Sequence, residues 1–147
     1  MEEIDLCWRM KNAGYKVMYC AGSTVYHVGG GTLPKKYPKK TYLNFRNNLT
    51  LLYKNLPGDR LARVYIARIF LDGVAAFKFL LEGSFMSFIA VTRAHVSFLR
   101  THRKTLAKRR MTKRRHVSQI YRGNIAFDYF LKGKKLFSDL PEEKFTH

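Results

Sequence analysis

Tyr15-Lys16-Val17-Met18-Tyr19-Cys20, followed by Ala21-Gly22-Ser23 and Thr24-Val25-Tyr26-His27-Val28, is the stretch on which the fold class turns. The first six residues alternate in character as a half-buried strand does. Ala21-Gly22-Ser23 reads as a turn, and residues 24–28 as a second short strand. Upstream, Leu6, Met10 and Ala13 recur at helical spacing, and Asp5 can pair with Arg9 one turn on. Asn12-Ala13-Gly14 is a helix stop in which the glycine is free to take the left-handed cap. Helix, glycine stop, strand, turn and strand predict an α/β unit. Beyond it, residues 29–40 read as a loop, with Gly29-Gly30-Gly31 and then Pro34 and Pro38 among four lysines.

From there the pattern becomes helical. A helix is expected from about Thr41 to Asn55, stopped by Leu56-Pro57-Gly58. Residues 59–81 carry apolar side chains at 61, 64, 65, 69, 71, 75, 76, 79 and 80, a wide helical face, and Glu82-Gly83-Ser84 breaks it. A further helix is expected from Ser84 to about Leu106, grading from apolar to basic. No acidic residue occurs between Gly83 and Phe127, against eleven lysines and arginines, densest from Arg100 to Arg115. The apolar region 61–99 is cut by Arg63, Arg68, Asp72, Lys78, Glu82 and Arg93. Its longest uncharged run, 83–92, falls short of the roughly 18–20 residues a spanning helix needs.

The 147 residues carry a net charge of +18, which calls for an anionic partner: nucleic acid, an anionic membrane or a phosphorylated substrate. Two cysteines, Cys7 and Cys20, are too few for a disulfide framework and read as buried thiols of a reducing compartment. Glu2, Glu3 and Asp5 have an ordinary reading, as complements to the positive end of a helix macrodipole. A histidine after a strand and a glycine run have ordinary readings too. Their order and spacing, bringing a strand end with His27 back towards an acidic helix start, make up half of a catalytic site.

Glu2-Glu3-Ile4-Asp5-Leu6-Cys7-Trp8-Arg9, Ala13-Gly14-Tyr15-Lys16-Val17 and Val25-Tyr26-His27-Val28-Gly29-Gly30-Gly31-Thr32 resemble the C-terminal portion of the catalytic domain of family 2 glycosyltransferases of the GT-A fold. The likeness is greatest to bacterial rhamnosyl- and galactofuranosyltransferase-like members. It continues more weakly through Tyr42-Leu43-Asn44-Phe45-Arg46-Asn47-Asn48 and covers about the first fifty-five residues. The resemblance implies an enzyme that moves a sugar, with inversion, from a nucleotide-sugar donor to a glycan or lipid-linked acceptor in cell-envelope polysaccharide synthesis. It implies Glu3 as general base, with Glu2 and Asp5 as the other members of the acidic set. Arg9, Gly29, Gly30, Gly31 and Thr32 would bind substrate, and His27 would bind a divalent metal, Mn²⁺ or Mg²⁺. The family's nucleotide-binding half and its Asp-x-Asp motif are not in the sequence. The expectation is therefore an α/β fragment, the C-terminal part of a GT-A catalytic domain followed by a mostly helical basic extension, inactive in isolation. The divisions expected are a catalytic piece (1–33), a loop and linking helix (34–58), an amphipathic helical pair (59–106) and a basic, aromatic tail (107–147).

The basic half has other readings. Arg100 to Arg115 is a candidate nucleic-acid patch, but it lacks the interleaved aromatics of a stacking platform, and no specific nucleic acid is expected. A solvated charged helix is the plain alternative. Two amphipathic helices followed by a polybasic run match an interfacial segment, where each cation near an anionic leaflet adds about 1 kcal/mol. The expected location is accordingly cytoplasmic and peripheral, on the inner face of the cytoplasmic membrane. The runner-up function is a basic membrane- or nucleic-acid-binding module without catalysis.

Overall fold

Ser87, Ala90 or Val91, Ala94 and Phe98 fall three or four residues apart, so a helix through them presents one stripe of mostly small side chains. Small side chains let a second helix approach closely, and this stripe is buried. The computed structural model describes residues 2–26, 37–111 and 117–146, of which 71% are helical. Helix α1 spans Glu2–Asn12, α2 Pro38–Asn55, α3 Gly58–Leu81, α4 Phe85–Met111 and α5 Ile125–Phe130. Two 3₁₀ turns, Phe137–Asp139 and Glu142–Lys144, follow. The α4 stripe packs on α2, the most extensive contact between elements.

The helices α2 and α4 run in the same direction. Tyr42 Oη donates to Ser97 Oγ at 2.9 Å near one end, and Arg109 Nη1 donates to the carbonyls of Tyr53 and Leu56 at 2.6 and 2.7 Å near the other. Between them α3 runs back, with Tyr65 Oη donating to the Leu49 carbonyl at 2.9 Å and Arg68 lying over the Phe45 ring. Tyr53, Tyr65 and Phe98 meet edge-on or tilted at centroid separations of 5.6–6.0 Å, within the range of favourable aromatic pairs. Burial pushes the Tyr65 phenol well above its ordinary pKa. The α3–α4 contact also encloses a charge. Asp72, 2% exposed, lies 2.8 Å from Arg68 Nε and 3.0 Å from His95 Nε2.

The expected α/β unit is not formed. No strand occurs among the described residues, and the fold is all-α. The physical reason lies in the pairing that a strand requires. Alternation sorts side chains onto two faces, but a ladder needs a neighbour for its N–H and C=O groups. Among the described residues, 15–26 have no pairing strand; their chain reversal is marked by a Ser23 N–H to Cys20 carbonyl bond of 3.2 Å, and Tyr19 and Tyr26 are 90% and 95% exposed. The glycine stop is as expected: Gly14 adopts φ 95°, and the Tyr15 N–H reaches the Met10 carbonyl. Cys7 is half-buried and Cys20 exposed, both free thiols, so the expected buried pair is not formed either.

The carboxy-terminal segment folds on itself and onto α1. Thr146 Oγ1 donates to the Val117 carbonyl and accepts from the Ile120 N–H, and an isolated antiparallel bridge joins Tyr121 to Phe145. Asn124 caps α5 through the Phe127 N–H. Tyr121 Oη donates to Asp128 at 2.6 Å, and that hydrogen bond, with burial, pushes the phenol up to about 12. Lys11 Nζ donates to the Ser118 carbonyl, tying this segment to α1. No helix among the described residues is long and apolar enough to cross a membrane, as the charge interruptions predict.

Candidate functional site

Helix α1 opens with three carboxylates in its first turn, where the macrodipole favours negative charge. They differ in surroundings. Glu2 and Glu3 are exposed, whereas Asp5 faces α2. Lys54 Nζ lies 2.5 Å from the Asp5 carboxylate, Asn55 Nδ2 donates to Oδ1 at 2.8 Å, and Arg9 Nε donates to Oδ2 at 3.1 Å. Partial burial pushes the Asp5 carboxyl up. The hydrogen bonds from Lys54 and Asn55, and the charges of Lys54 and Arg9, outweigh it and hold the group below the ordinary aspartate range. The geometry thus makes Asp5 a peg that fixes the acidic helix start on the end of α2.

Around this peg a shallow groove of about 250 Å³ is lined by Glu2, Asp5, Arg9, Asn47, Thr50 and Lys54. Asn47, Thr50 and Lys54 fall at i, i+3 and i+7, so α2 carries a polar stripe beside its apolar one. Arg46 is folded onto Asn47, its Nε and Nη2 donating to Oδ1 at 3.2 and 2.9 Å. The fold therefore brings the acidic helix start to the Tyr42–Asn48 stretch, which are two of the sequence blocks that carry the glycosyltransferase resemblance. The others fall differently. His27, Gly29, Gly30, Gly31 and Thr32 lie outside the described residues. Among the described residues no group of three histidine, cysteine, aspartate or glutamate side chains could hold a metal ion. The donor set implied for Mn²⁺ or Mg²⁺ is thus not assembled by the described residues.

Three residues of this region were not singled out by sequence reasoning. Lys54 and Asn55 hold Asp5; the signal for Lys54 is the polar i, i+3, i+7 stripe of α2, and Asn55 follows Leu51 by one turn on the buried face. Arg109 sits in the polybasic run expected to face solvent or lipid, yet it is 6% exposed and closes the carbonyl end of α2. Its signal is register: Phe98, Thr105 and Arg109 continue the buried stripe of α4.

Comparison with protein-family models, curated proteins and solved structures gives no match to this chain.

Proposed function

We propose that this chain is part of an inverting glycosyltransferase that works at an anionic membrane surface, on a nucleotide-sugar donor and a glycan or lipid-linked acceptor. The observation that carries the sugar-transfer reading is the pinned acidic start of α1. With Asp5 engaged by Lys54, Asn55 and Arg9, its lone pairs serve architecture. Glu2 and Glu3 are the exposed carboxylates of the first turn, and the base of this reading is Glu3. Its carboxylate takes the proton of the acceptor hydroxyl as that oxygen bonds to the anomeric carbon. The bond from that carbon to the diphosphate oxygen breaks on the opposite face, so configuration inverts. Glu2 and Arg9 line the groove beside α2, and Glu3 lies on the adjoining face of α1 with Ile4, Cys7 and Trp8.

The membrane part of the reading rests on α3. Ile66, Phe70, Val74, Phe77 and Leu81 share one face and are between 52% and 74% exposed. The exposed cations Arg100, Arg103, Lys104 and Arg110 follow on α4. An unshielded apolar face on a chain of charge +18 fits an anionic bilayer, which takes both the side chains and the charge. The location proposed is peripheral, on the inner face of the cytoplasmic membrane.

Glu3→Gln tests the chemistry in the enzyme that carries this segment. Turnover should fall by a factor of about 10² or more, with KM for the donor little changed, because the group acts in the transition state. Unchanged turnover removes Glu3 as base and favours the second reading, a basic membrane-binding module without catalysis.

A further inference from the structure

Lys39 and Tyr42 fall at i and i+3 on α2, and Met86, Ile89 and Arg93 at i, i+3 and i+7 on α4. Because the two helices run in the same direction, their first turns meet, and these residues share a cleft of about 330 Å³. Met86, Ile89 and the Tyr42 ring give it an apolar wall, and the hydrogen bond to Ser97 Oγ fixes the ring in place. Lys39 and Arg93, one from each helix, are the charged residues that line it, and both are exposed. Among the described residues neither forms an ion pair. The first turns of α2 and α4 contain no acidic residue, and the segments 27–36 and 112–116 contain none either. Glu82, at the turn between α3 and α4, pairs with Lys78 at 3.7 Å. Two unmatched cations across an apolar cleft suit a ligand that is anionic at one end and apolar at the other.

We propose that this cleft is a discrete site for one anionic phospholipid, with its phosphodiester between Lys39 and Arg93 and the start of its acyl chain on Met86 and Ile89. The inference deepens the membrane reading, on which it rests, by naming the lipid class and a place other than the outer face of α3. The Arg93 guanidinium can give two parallel N–H bonds to phosphate oxygens, and the Lys39 ammonium adds a point charge from the other helix. Inorganic phosphate would satisfy the cations and leave the apolar wall in water. A zwitterionic headgroup would bring a cation of its own towards Lys39 and Arg93. An anionic phosphodiester carrying an acyl chain meets both halves of the cleft. The chain also has a route to the bilayer, because Leu81 and Phe85, exposed on either side of the turn, lead from the outer face of α3 to Met86. The volume is within the range of small-molecule sites, large enough for a headgroup and the first part of one chain.

The test uses dihexanoyl phosphatidylglycerol below its micelle concentration, so that the probe is single lipid molecules and not a charged surface. Calorimetric titration of the full chain should give saturable binding of one lipid per chain. Dihexanoyl phosphatidylcholine and inorganic phosphate should each bind at least about tenfold more weakly, as expected when one half of the contact is lost. Arg93→Gln should weaken the phosphatidylglycerol probe by about tenfold, as expected for a lost charge-assisted hydrogen bond. Arg100→Gln, which removes the same charge from an exposed position outside the cleft, should leave it unchanged. Met86→Glu, which puts a carboxylate on the apolar wall, should abolish it. Both Met86 and Arg93 are exposed, so melting temperatures should hold. The proposal is overturned if the phosphatidylglycerol probe does not saturate, or if Arg100→Gln weakens it as much as Arg93→Gln. Equal affinity for inorganic phosphate would also overturn it, the cleft then being an anion site indifferent to lipid. Should Met86→Glu unfold, the two arginine variants decide alone. The membrane reading fails separately: saturable binding of the single lipid, with no sedimentation of the parent chain on phosphatidylglycerol vesicles, removes the membrane surface and leaves the cleft.

Discussion

Helix α3 has two faces of different polarity, and burial does not follow it. The face turned to α2 and α4 includes Tyr65, Arg68, Asp72 and Ala76, so three of its positions carry polar groups, and Asp72 and Ala76 are buried. The opposite face offers Ile66, Phe70, Val74, Phe77 and Leu81 with no charge among them, and it stands in solvent. Hydrophobic burial alone would rank them the other way. Burial of the inner face is accompanied by polar pairing: Tyr65 donates to the Leu49 carbonyl, and Asp72 lies against the Arg68 charge and His95, although Arg68 Nε makes no hydrogen bond of good geometry. Among the described residues the outer face meets nothing that shields it. A helix made this way is suited to lie between a protein core and a second apolar phase.

The largest effect that could break this contrast is on the outer face. Phe70→Glu with Phe77→Glu should remove binding to phosphatidylglycerol vesicles in a cosedimentation assay. Each phenylalanine withdrawn from water contributes about 1.5–3 kcal/mol, so the pair should cost about a hundredfold or more in partitioning. Stability should change little, since both side chains are exposed in the unbound chain. Binding of the parent chain should weaken with salt and be poor on neutral phosphatidylcholine vesicles. Salt-insensitive binding, or equal binding by the double variant, would separate the outer face from any membrane role.

The inner face is broken next, with the opposite signature. Asp72→Ala should lower unfolding free energy by about 3 kcal/mol, because removing one partner of a buried ion pair strands the others. Vesicle binding per folded molecule should be unchanged. A denaturant titration gives the first quantity and cosedimentation the second. If Asp72→Ala were as stable as the parent, polar pairing would not be what holds α3 on α4.

The two faces of α3 were unequally legible in the sequence. Local signals carried the helices well: residues 59–81 and Thr41–Asn55 were expected, and Gly58–Leu81 and Pro38–Asn55 are observed. For α4 the expected end near Leu106 fell short of Met111, because a basic run reads as a solvated tail unless its register on a partner is known. Arg109 illustrates the point, since its burial depends on the carbonyl end of α2, fifty residues away in sequence. The strand reading failed over the described residues 15–26 for the same kind of reason, and its last two residues, 27 and 28, lie outside the described residues. Alternation is local, but pairing is not, and among the described residues no strand lies beside 15–26. At the candidate site the Asp5–Arg9 pair was visible from i,i+4 spacing, while the pegs Lys54 and Asn55 needed the α1–α2 contact. Asp72–Arg68 has the same i,i+4 spacing, yet its third partner, His95, comes from another helix.

The smallest effect sharpens the comparison by asking what a polar contact is worth when it is only half-buried. Asp5 resembles Asp72 in having several cationic or amide partners, but its side chain is 22% exposed against 3%. Solvent screening should therefore reduce its contribution to about 1 kcal/mol, and salt should reduce it further. The pH dependence has a definite sign. The folded-state pKa of Asp5 is lowered, so the unfolded chain binds the proton more tightly and acid favours unfolding. The stabilisation is complete above the ordinary aspartate value of 3.8 and is lost as pH falls below it through the folded-state pKa. Asp5→Asn should remove that acid-dependent part while keeping the side-chain shape. Melting curves of parent and variant should differ at neutral pH and converge in this acid range. Curves that stay equally far apart at every pH would mean that Asp5 acts through packing and not through its charge. The α1 start would then be held by apolar contacts, and Glu3 would lose the rigid support that the catalytic proposal gives it.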